Sequence, residues 1–406
     1  MRKNLFEGLK VAEFAWVIVG PSTSRYLAEH GATVIKIESH LRPETLRYLS
    51  PYPEGKPGLN KSMYYGKFNS NKYSISLNLS HPKGIGIAWK LIMWCDIMTE
   101  SFTPEVMGKW GLDYDNVSKF RSDIIYLSTC MQGKTGPRSR VPGYGTMLTG
   151  LAGFDEITGW PDRSPSPPWD AYTDAICPRF NVAGVLAALE YRRRTGKGQW
   201  VEQSQYESSL HFAAPLIMDY FSNNRMATRK GNRLDYASPH GIFPCLGDDR
   251  WIALAVFNDE QWKSLCHAMG QPAWCLDAKF ATLCDRKKNE DELESSLAEW
   301  TSPMTAPEIE SILQKAGIPC NMVEKAQDLF EDEQLKHRKF FTWLEHSENG
   351  LVPYEPQSTY IMSKTPREIC RPSPCLGEHN EYVLKEILGY ADEDISNFIA
   401  DGVIMF

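Results

Sequence analysis

The sequence predicts an α/β protein: a doubly wound, mostly parallel sheet with helices, plus a second, smaller α+β lobe. Three observations carry this reading. Apolar strand-length runs alternate with helix-length segments over the first 200 or so residues, the pattern of a parallel sheet. After Leu210 the character changes to a Met- and aromatic-rich helix, short strands and acidic helices. The length of 406 residues also exceeds the roughly 250–300 at which one core stops growing, so two lobes are expected.

In chain order, a strand over residues 9–15 meets a Gly20-Pro21 turn, a helix over 22–30 and a strand over 33–38. Pro21 suits a first helical turn, and Gly31 suits a helix C-cap. The alternation continues with a helix over 82–94, a strand over 96–102, a short helix near 114–120 and a strand over 123–128. Two Gly- and Pro-rich loops, 132–144 and 159–169, are too long to be plain connectors, and loops of that length are commonly functional. An apolar helix over 179–192 closes with Arg193, Arg194 and Gly196, before a strand over 199–204. The smaller lobe is read as a strand pair near 241–244 and 250–256, then helices over 259–269, 289–300 and 306–316. From Lys336 the chain is a loosely structured return, ending in a helix that begins near Glu378. The expected division is therefore 1–215 and 216–335, with 336–406 returning to complete the large lobe or packing on another subunit.

Lys and Arg number 44 against 51 Asp and Glu, a net charge of −7, which argues against non-specific nucleic-acid binding. The total hides an asymmetry: residues 1–150 carry 19 Lys/Arg and 12 Asp/Glu, or +7, leaving −14 for the rest. Ten cysteines with no CxxC pair and no Cys/His ligand spacing read as reduced thiols of a cytoplasmic protein without a metal site. No secretion signal is evident, and the longest apolar run, 182–189, is far below the ~20 residues of a membrane span.

Glu38 lies about 20 residues after the first turn, where a ribose-binding acid of a dinucleotide fold would sit. That turn is Gly20-Pro21-Ser22-Thr23-Ser24-Arg25, however, and lacks the glycines that let backbone approach a pyrophosphate. P-loop, GxSxG and HExxH motifs are absent as well. What remains is Asp170 and Asp174, in PWDAYTDAICP, where the long loops meet the apolar helix. An acid there serves either as a first-turn helix acid or as a reacting carboxylate, and local pattern leaves both open.

A series of landmarks closes part of that gap: LKVAEFAWVIVGP, LAEHGATVIKIE, KFNSNKYSISLNL, KWGLDY with IIYLS, GKTGP, GVLAALEYRRRTGKGQWVE, AGIPC and a terminal LGEH. In this order they resemble the family III CoA-transferases, which include formyl-CoA:oxalate and carnitine CoA-transferases and α-methylacyl-CoA racemase. The resemblance spans essentially the whole chain. It implies a Rossmann-like large domain built from both chain ends, a small domain between, and two chains interlocked as linked rings. The family's aspartate precedes the GVLAAL-like helix core by about ten residues, which fits Asp174 and not Asp170. Asp174 is thereby implied as the nucleophile that forms an acyl anhydride and then an aspartyl-CoA thioester. Gln132 is a candidate donor to the oxyanions formed on the way.

The resemblance maps the CoA site onto Val17, Ile18 and Val19, Asn71 and Lys72, Phe102, and Lys109. It offers a use for the basic front half, with Arg42, Arg47, Lys72, Lys109 and Lys134 as candidate partners for CoA phosphates. CoA thioester enters as a substrate, and no permanently bound cofactor is expected.

Two departures bear on substrate. Ile18 replaces a glutamine of some members, and the glycine-rich loop of the formyl-CoA enzyme has no counterpart near 237–241, so formate and oxalate are not expected. The aromatic-rich loops, with Trp16, Trp160, Trp169 and Tyr172 as candidate pocket residues, point to an aromatic or dicarboxylic acid acceptor, such as an aryl-substituted succinate with succinyl-CoA as donor. The racemase alternative needs a histidine where this chain has Tyr144, in Gly143-Tyr144-Gly145, and so lacks one of two bases. A further alternative is a non-catalytic or partner-dependent subunit of a heteromeric transferase; the presence of Asp174 argues instead for the active chain, as a homodimer or paired with a related subunit.

Overall fold

The computed structural model describes residues 4–405. The large unit contains β1 (Lys10–Glu13), α1 (Val19–Glu29), β2 (Thr33–Glu38), α2 (Met63–Asn69), β3 (Tyr73–Ser76), α3 (Pro82–Trp94) and β4 (Ile97–Glu100). Short helices α4 (Val106–Lys109) and α5 (Tyr114–Val117) lead to β5 (Ile125–Cys130) and α6 (Gly145–Leu151); after α7 (Phe154–Ile157), which passes into the second unit at Asp155, come α8 (Tyr172–Thr195), β6 (Gln199–Ser204) and α9 (Gln205–Asn223). The six strands are all parallel, in the order β3-β2-β1-β4-β5-β6.

Strand alternation explains why both faces are covered. Val11, Val34, Ile97 and Ile125 pack with Leu27 of α1 and Val185 and Ala188 of α8. Their chain neighbours Ala12, Ile35, Met98 and Tyr126 pack on the opposite face with Ile87 and Leu91 of α3. A parallel strand buried on both sides reads as a continuous apolar run, which is why these strands are visible in sequence.

Two boundaries differ from the sequence reading. Helix α1 begins at Val19, so Gly20 and Pro21 lie inside its first turn; a Cβ on Gly20 would come within 2.3 Å of the Ala15 Cβ. Helix α8 begins at Tyr172, before the apolar stretch, and contains Pro178. That proline lies in the second turn, where it removes the N–H that the Asp174 carbonyl would have accepted. The first turn of α8 thus holds Asp174.

The polar strand β3 was not anticipated: YSIS is short and half serine, and it forms the sheet edge. The end of the chain covers that edge. The Ser74 N–H donates to His379 Nδ1 at 3.2 Å, the Ser76 N–H to Asn380 Oδ1 at 2.8 Å, and the Asn78 N–H to the Val403 carbonyl at 2.8 Å. Val383, Leu384, Phe398, Val403 and Ile404 join the same core.

The large unit comprises the chain through Phe154, Pro167–Met226 and Arg338 onward. The second unit, Asp155–Ser166 with Ala227–His337, has an antiparallel sheet of β7 (His240–Pro244), β8 (Trp251–Ala255) and β9 (Cys320–Met322). Helices Asp259–Ala268, Glu290–Thr301 and Ala306–Lys315 supply Trp262, Leu297 and Ile309 to a core with Phe243, Ile252 and Leu254. Among the described residues no helix is long and apolar enough to cross a membrane, and no cluster of His, Cys, Asp or Glu has metal-binding geometry.

Beneath the first βα turn lies an enclosed ion network. Lys72 Nζ contacts Glu13 at 2.8 Å, the Pro21 carbonyl at 2.9 Å and Asn69 Oδ1 at 3.0 Å. Lys36 bridges Glu13 at 3.1 Å and Glu44 at 2.6 Å, and Arg47 grips Glu38 with two bonds of 2.7 and 2.8 Å. All six side chains are fully buried. Burial pulls the Lys72 ammonium down to about 8 despite Glu13. Burial also opposes charge on Glu38, but Arg47 outweighs it and holds that carboxyl at about 2.

These partners correct the expectation for Lys72 and Arg47, which neutralise internal acids and are not free for phosphate. Asn71 is likewise structural: at φ +64° its Oδ1 accepts the Cys370 and Arg371 N–H groups, and its Nδ2 donates to the Glu368 carbonyl at 2.6 Å. Removing one member of a buried pair strands the other, so Lys72→Met is expected to cost about 3–5 kcal/mol. Urea unfolding of this variant checks the value; a loss below about 1 kcal/mol, the scale of an exposed pair, would contradict the network's closure.

Candidate active site

A cavity of about 620 Å³ opens at the C-terminal ends of the strands, where the sheet order reverses between β1 and β4. Open parallel sheets bind ligands at this switch point because the loops on either side diverge there. Its wall is built from the turn Trp16–Val19 after β1, Glu38, Ser39 and Arg42 after β2, Leu77–Ser80 after β3 and Ser101–Thr103 after β4. Cys130 and Met131, the Gly143-Tyr144-Gly145 segment, Asp174 and Gln205 complete it.

Asp174 is 5% exposed, and its Oδ1 has no hydrogen-bond partner. No side-chain hydrogen bond caps α8, and Asp174, although it lies in the first turn, does not serve as a cap. Burial, with the Asp170 charge adding to it, raises the Asp174 carboxyl to about 7. Gly145 makes the room: a Cβ there would lie 2.4 Å from Asp174 Oδ1 and 2.5 Å from its Cγ. A buried acid that meets neither cation nor donor is costly, and such groups concentrate where chemistry needs them. Asp170, by contrast, is exposed, sits at φ +56°, accepts the Tyr64 hydroxyl at 2.6 Å and does not line the cavity.

Of the residues expected at the CoA site, Val17, Ile18, Val19, Arg42 and Phe102 share the cavity with Asp174. Phe102 lies edge-on to both Trp16 and Trp110, at 5.6 and 5.8 Å, forming an aromatic wall. Gln132, Asn71, Lys72, Lys109 and Lys134 do not line the cavity. Lys134 is tied to Glu100 at 2.7 Å and to the Phe102 carbonyl at 2.7 Å, while Lys109 is an exposed residue ending α4. Gln132 lies in the loop one residue beyond Met131, outside the lining.

Of the five cations proposed from sequence, Arg42 alone faces the cavity. Trp16 lines it too, whereas Trp160 belongs to a separate cavity in the second unit, Trp169 is 88% exposed, and Tyr172 packs edge-on against Phe154. No histidine lines the cavity among the described residues, whereas Tyr144 does.

The polar group that sequence reasoning missed is Gln205, the first residue of α9. Its neighbours are spent: Gln203 accepts from Thr129 Oγ1 at 2.6 Å and donates to Ser208 Oγ at 2.6 Å. The Gln205 carbonyl accepts Ser209 Oγ at 2.7 Å, fixing the backbone. The available signal was a polar QSQ closing a strand at the same sheet end as the other ligand-facing turns.

A switch-point cavity with an unpaired, buried carboxylate defines an α/β enzyme site. The chain belongs to CoA-transferase family III, whose family model matches residues 6–380, and it is an enzyme of that transferase class. It is 32% identical to succinate–glutarate CoA-transferase of Agrobacterium fabrum, over 95% of this chain and 96% of that one. It is 30% identical to the β subunit of succinyl-CoA–L-malate CoA-transferase of Chloroflexus aurantiacus, over 98% and 97%. A crystal structure of a CAIB/BAIF family protein from Brucella suis matches with a TM-score of 0.87 at 28% identity, over 95% of this chain and all of that one.

Proposed function

We propose that this enzyme moves CoA from succinyl-CoA to a dicarboxylic acid through covalent intermediates on Asp174. The observation that carries the reading is the partnerless Asp174 carboxylate buried in the cavity beside Gly145.

In the ionised state an Asp174 oxygen attacks the donor thioester carbonyl. The C–S bond breaks, CoA leaves as the thiolate, and a mixed anhydride remains. The thiolate then attacks Asp174 Cγ, releasing the donor carboxylate and leaving an aspartyl-CoA thioester. The acceptor carboxylate attacks the same carbon and expels thiolate, which finally attacks the acceptor acyl carbon and returns Asp174 as a free carboxylate. No net proton or redox equivalent is needed. Gln205, in the same cavity, is better placed than Gln132 to donate to the oxyanions, and Arg42 is the cation available to an anionic group.

Succinyl-CoA as donor and a dicarboxylate as acceptor are supported by the names of the two relatives, and the Trp16–Phe102–Trp110 wall supports an acceptor with an aryl substituent. Free thiols at all ten cysteines suit a cytoplasmic setting. An interlocked pairing with a second copy or a related subunit is supported by the exposed Phe212, Met218 and Phe221 of α9 and by the relative that is itself a β subunit.

Incubation with succinyl-CoA and hydroxylamine is expected to place a hydroxamate on the peptide containing Asp174, read by mass spectrometry. Modification at Asp170 instead, or none in the presence of turnover, would overturn the assignment.

A further inference from the structure

We infer that Glu44 is a positioning residue for CoA binding, holding the Val17 amide, and with it the wall Val17–Val19, in the conformation the ligand meets. The inference rests on the reading of this cavity as the acyl-CoA site.

Val17 is β-branched yet sits at φ +66°, a left-handed conformation in which its side chain crowds the backbone. Such outliers persist only where the surroundings over-determine them, and they collect at ligand sites. Here the grip is specific. The Trp16 N–H donates to Ser101 Oγ at 2.8 Å, and the Val17 N–H donates to Glu44 Oε1 at 2.7 Å.

Glu44 itself is fully buried and does not line the cavity, so it acts on a ligand only through the turn. Its second oxygen meets Lys36 Nζ at 2.6 Å, and Lys36 also donates to the Ala15 carbonyl at 3.1 Å. One buried ion pair therefore holds the peptide groups on both sides of Trp16, which an apolar filler of equal volume would not do. A bond from an amide to an ionised carboxylate is also stronger and more directional than a neutral one.

Two double variants separate positioning from mere stability. Glu44→Gln/Lys36→Met and Glu44→Leu/Lys36→Met both remove the ion pair while Glu13 keeps Lys72, and they differ in whether Val17 has an acceptor. The Leu form is expected to show a CoA Kd by calorimetry, and a succinyl-CoA KM, on the order of 10-fold higher than the Gln form, the effect of one lost hydrogen bond. Its kcat is expected to stay within about 3-fold. Equal Kd and KM in the two forms would overturn the inference.

Should either form fail to fold, hydrogen exchange on the unmodified protein decides. The Val17 amide is expected to be strongly protected, and more so with CoA bound; exchange at the rate of an open loop overturns the proposal. Failure of the unmodified protein to bind CoA at all would refute the cavity reading itself, a different outcome from unchanged affinity in the variants.

Discussion

Asp174→Asn is expected to lower CoA transfer by at least about 10³-fold, because the proposed anhydride-forming step would lose its nucleophile. The same change is expected to raise stability at neutral and alkaline pH. Burial lifts the Asp174 carboxyl from 3.8 to about 7. Between those values the folded protein keeps a proton that the unfolded chain has released, so stability contributed at this site falls as pH rises through the window. A shift of that size corresponds to about 4 kcal/mol at most. Asn has no such proton, so its Tm advantage over the parent should grow from pH 4 to 7 and then level off. Activity of the parent should climb over the upper part of the same window, as the reacting carboxylate forms. Calorimetry at pH 5 and 8, beside single-turnover rates, checks both arms. A Tm difference flat with pH would show that the acid is not desolvated, and retained turnover would remove it from the chemistry.

Gly145→Ala is expected to lower turnover on the order of 10²-fold, the scale of misplacing a reacting group by about an ångström. The added Cβ would stand 2.4 Å from Asp174 Oδ1 and 2.6 Å from the Ala171 Cβ, so the carboxylate or the start of α8 must move. Alanine is intrinsically better than glycine in a helix by about 1 kcal/mol, which opposes the clash in the stability balance but not in the rate. The informative pattern is therefore a small Tm change with a large kcat loss and little hydroxamate at Asp174. Parental kcat would mean that the carboxylate needs no clearance on that side.

Much of the large unit was legible in the sequence because parallel strands buried on both faces are continuous apolar runs. Lys10–Glu13, Thr33–Glu38 and Ile125–Cys130 fall where alternation places them, and the helix Pro82–Trp94 matches its predicted limits. The strand Tyr73–Ser76 did not stand out, because an edge strand sealed by a segment some 300 residues later needs no apolar run of its own. The hairpin Thr342–His346 with Gly350–Tyr354 was hidden in the return segment because its strands are short and half-exposed.

The candidate site divides along a similar line. Asp174 was singled out by spacing within a recognisable order of segments, and Val17–Val19 by their place after the first strand. Both are local facts of chain order, and such facts survive in a sequence read alone. The +7 front half illustrates the limit. Sequence shows the sign of Lys36, Arg47, Lys72 and Lys134, but their partners Glu44, Glu38, Glu13 and Glu100 are chosen by strand register and by turns that bring separate segments together.

By itself, then, the sequence determined the α/β class and the order of most elements and pointed to Asp174 as the proposed reacting acid, because patterning and segment order are properties of neighbouring residues. Only the tertiary structure decided that Arg42 faces the cavity while Lys72 lies beneath it, that Gln205 and not Gln132 lines the site, and that Gly145 leaves space for a carboxylate. Burial and pairing are set by residues distant in the chain, and it is burial that makes one aspartate a desolvated acid and leaves the other, four positions earlier, an exposed partner of Tyr64.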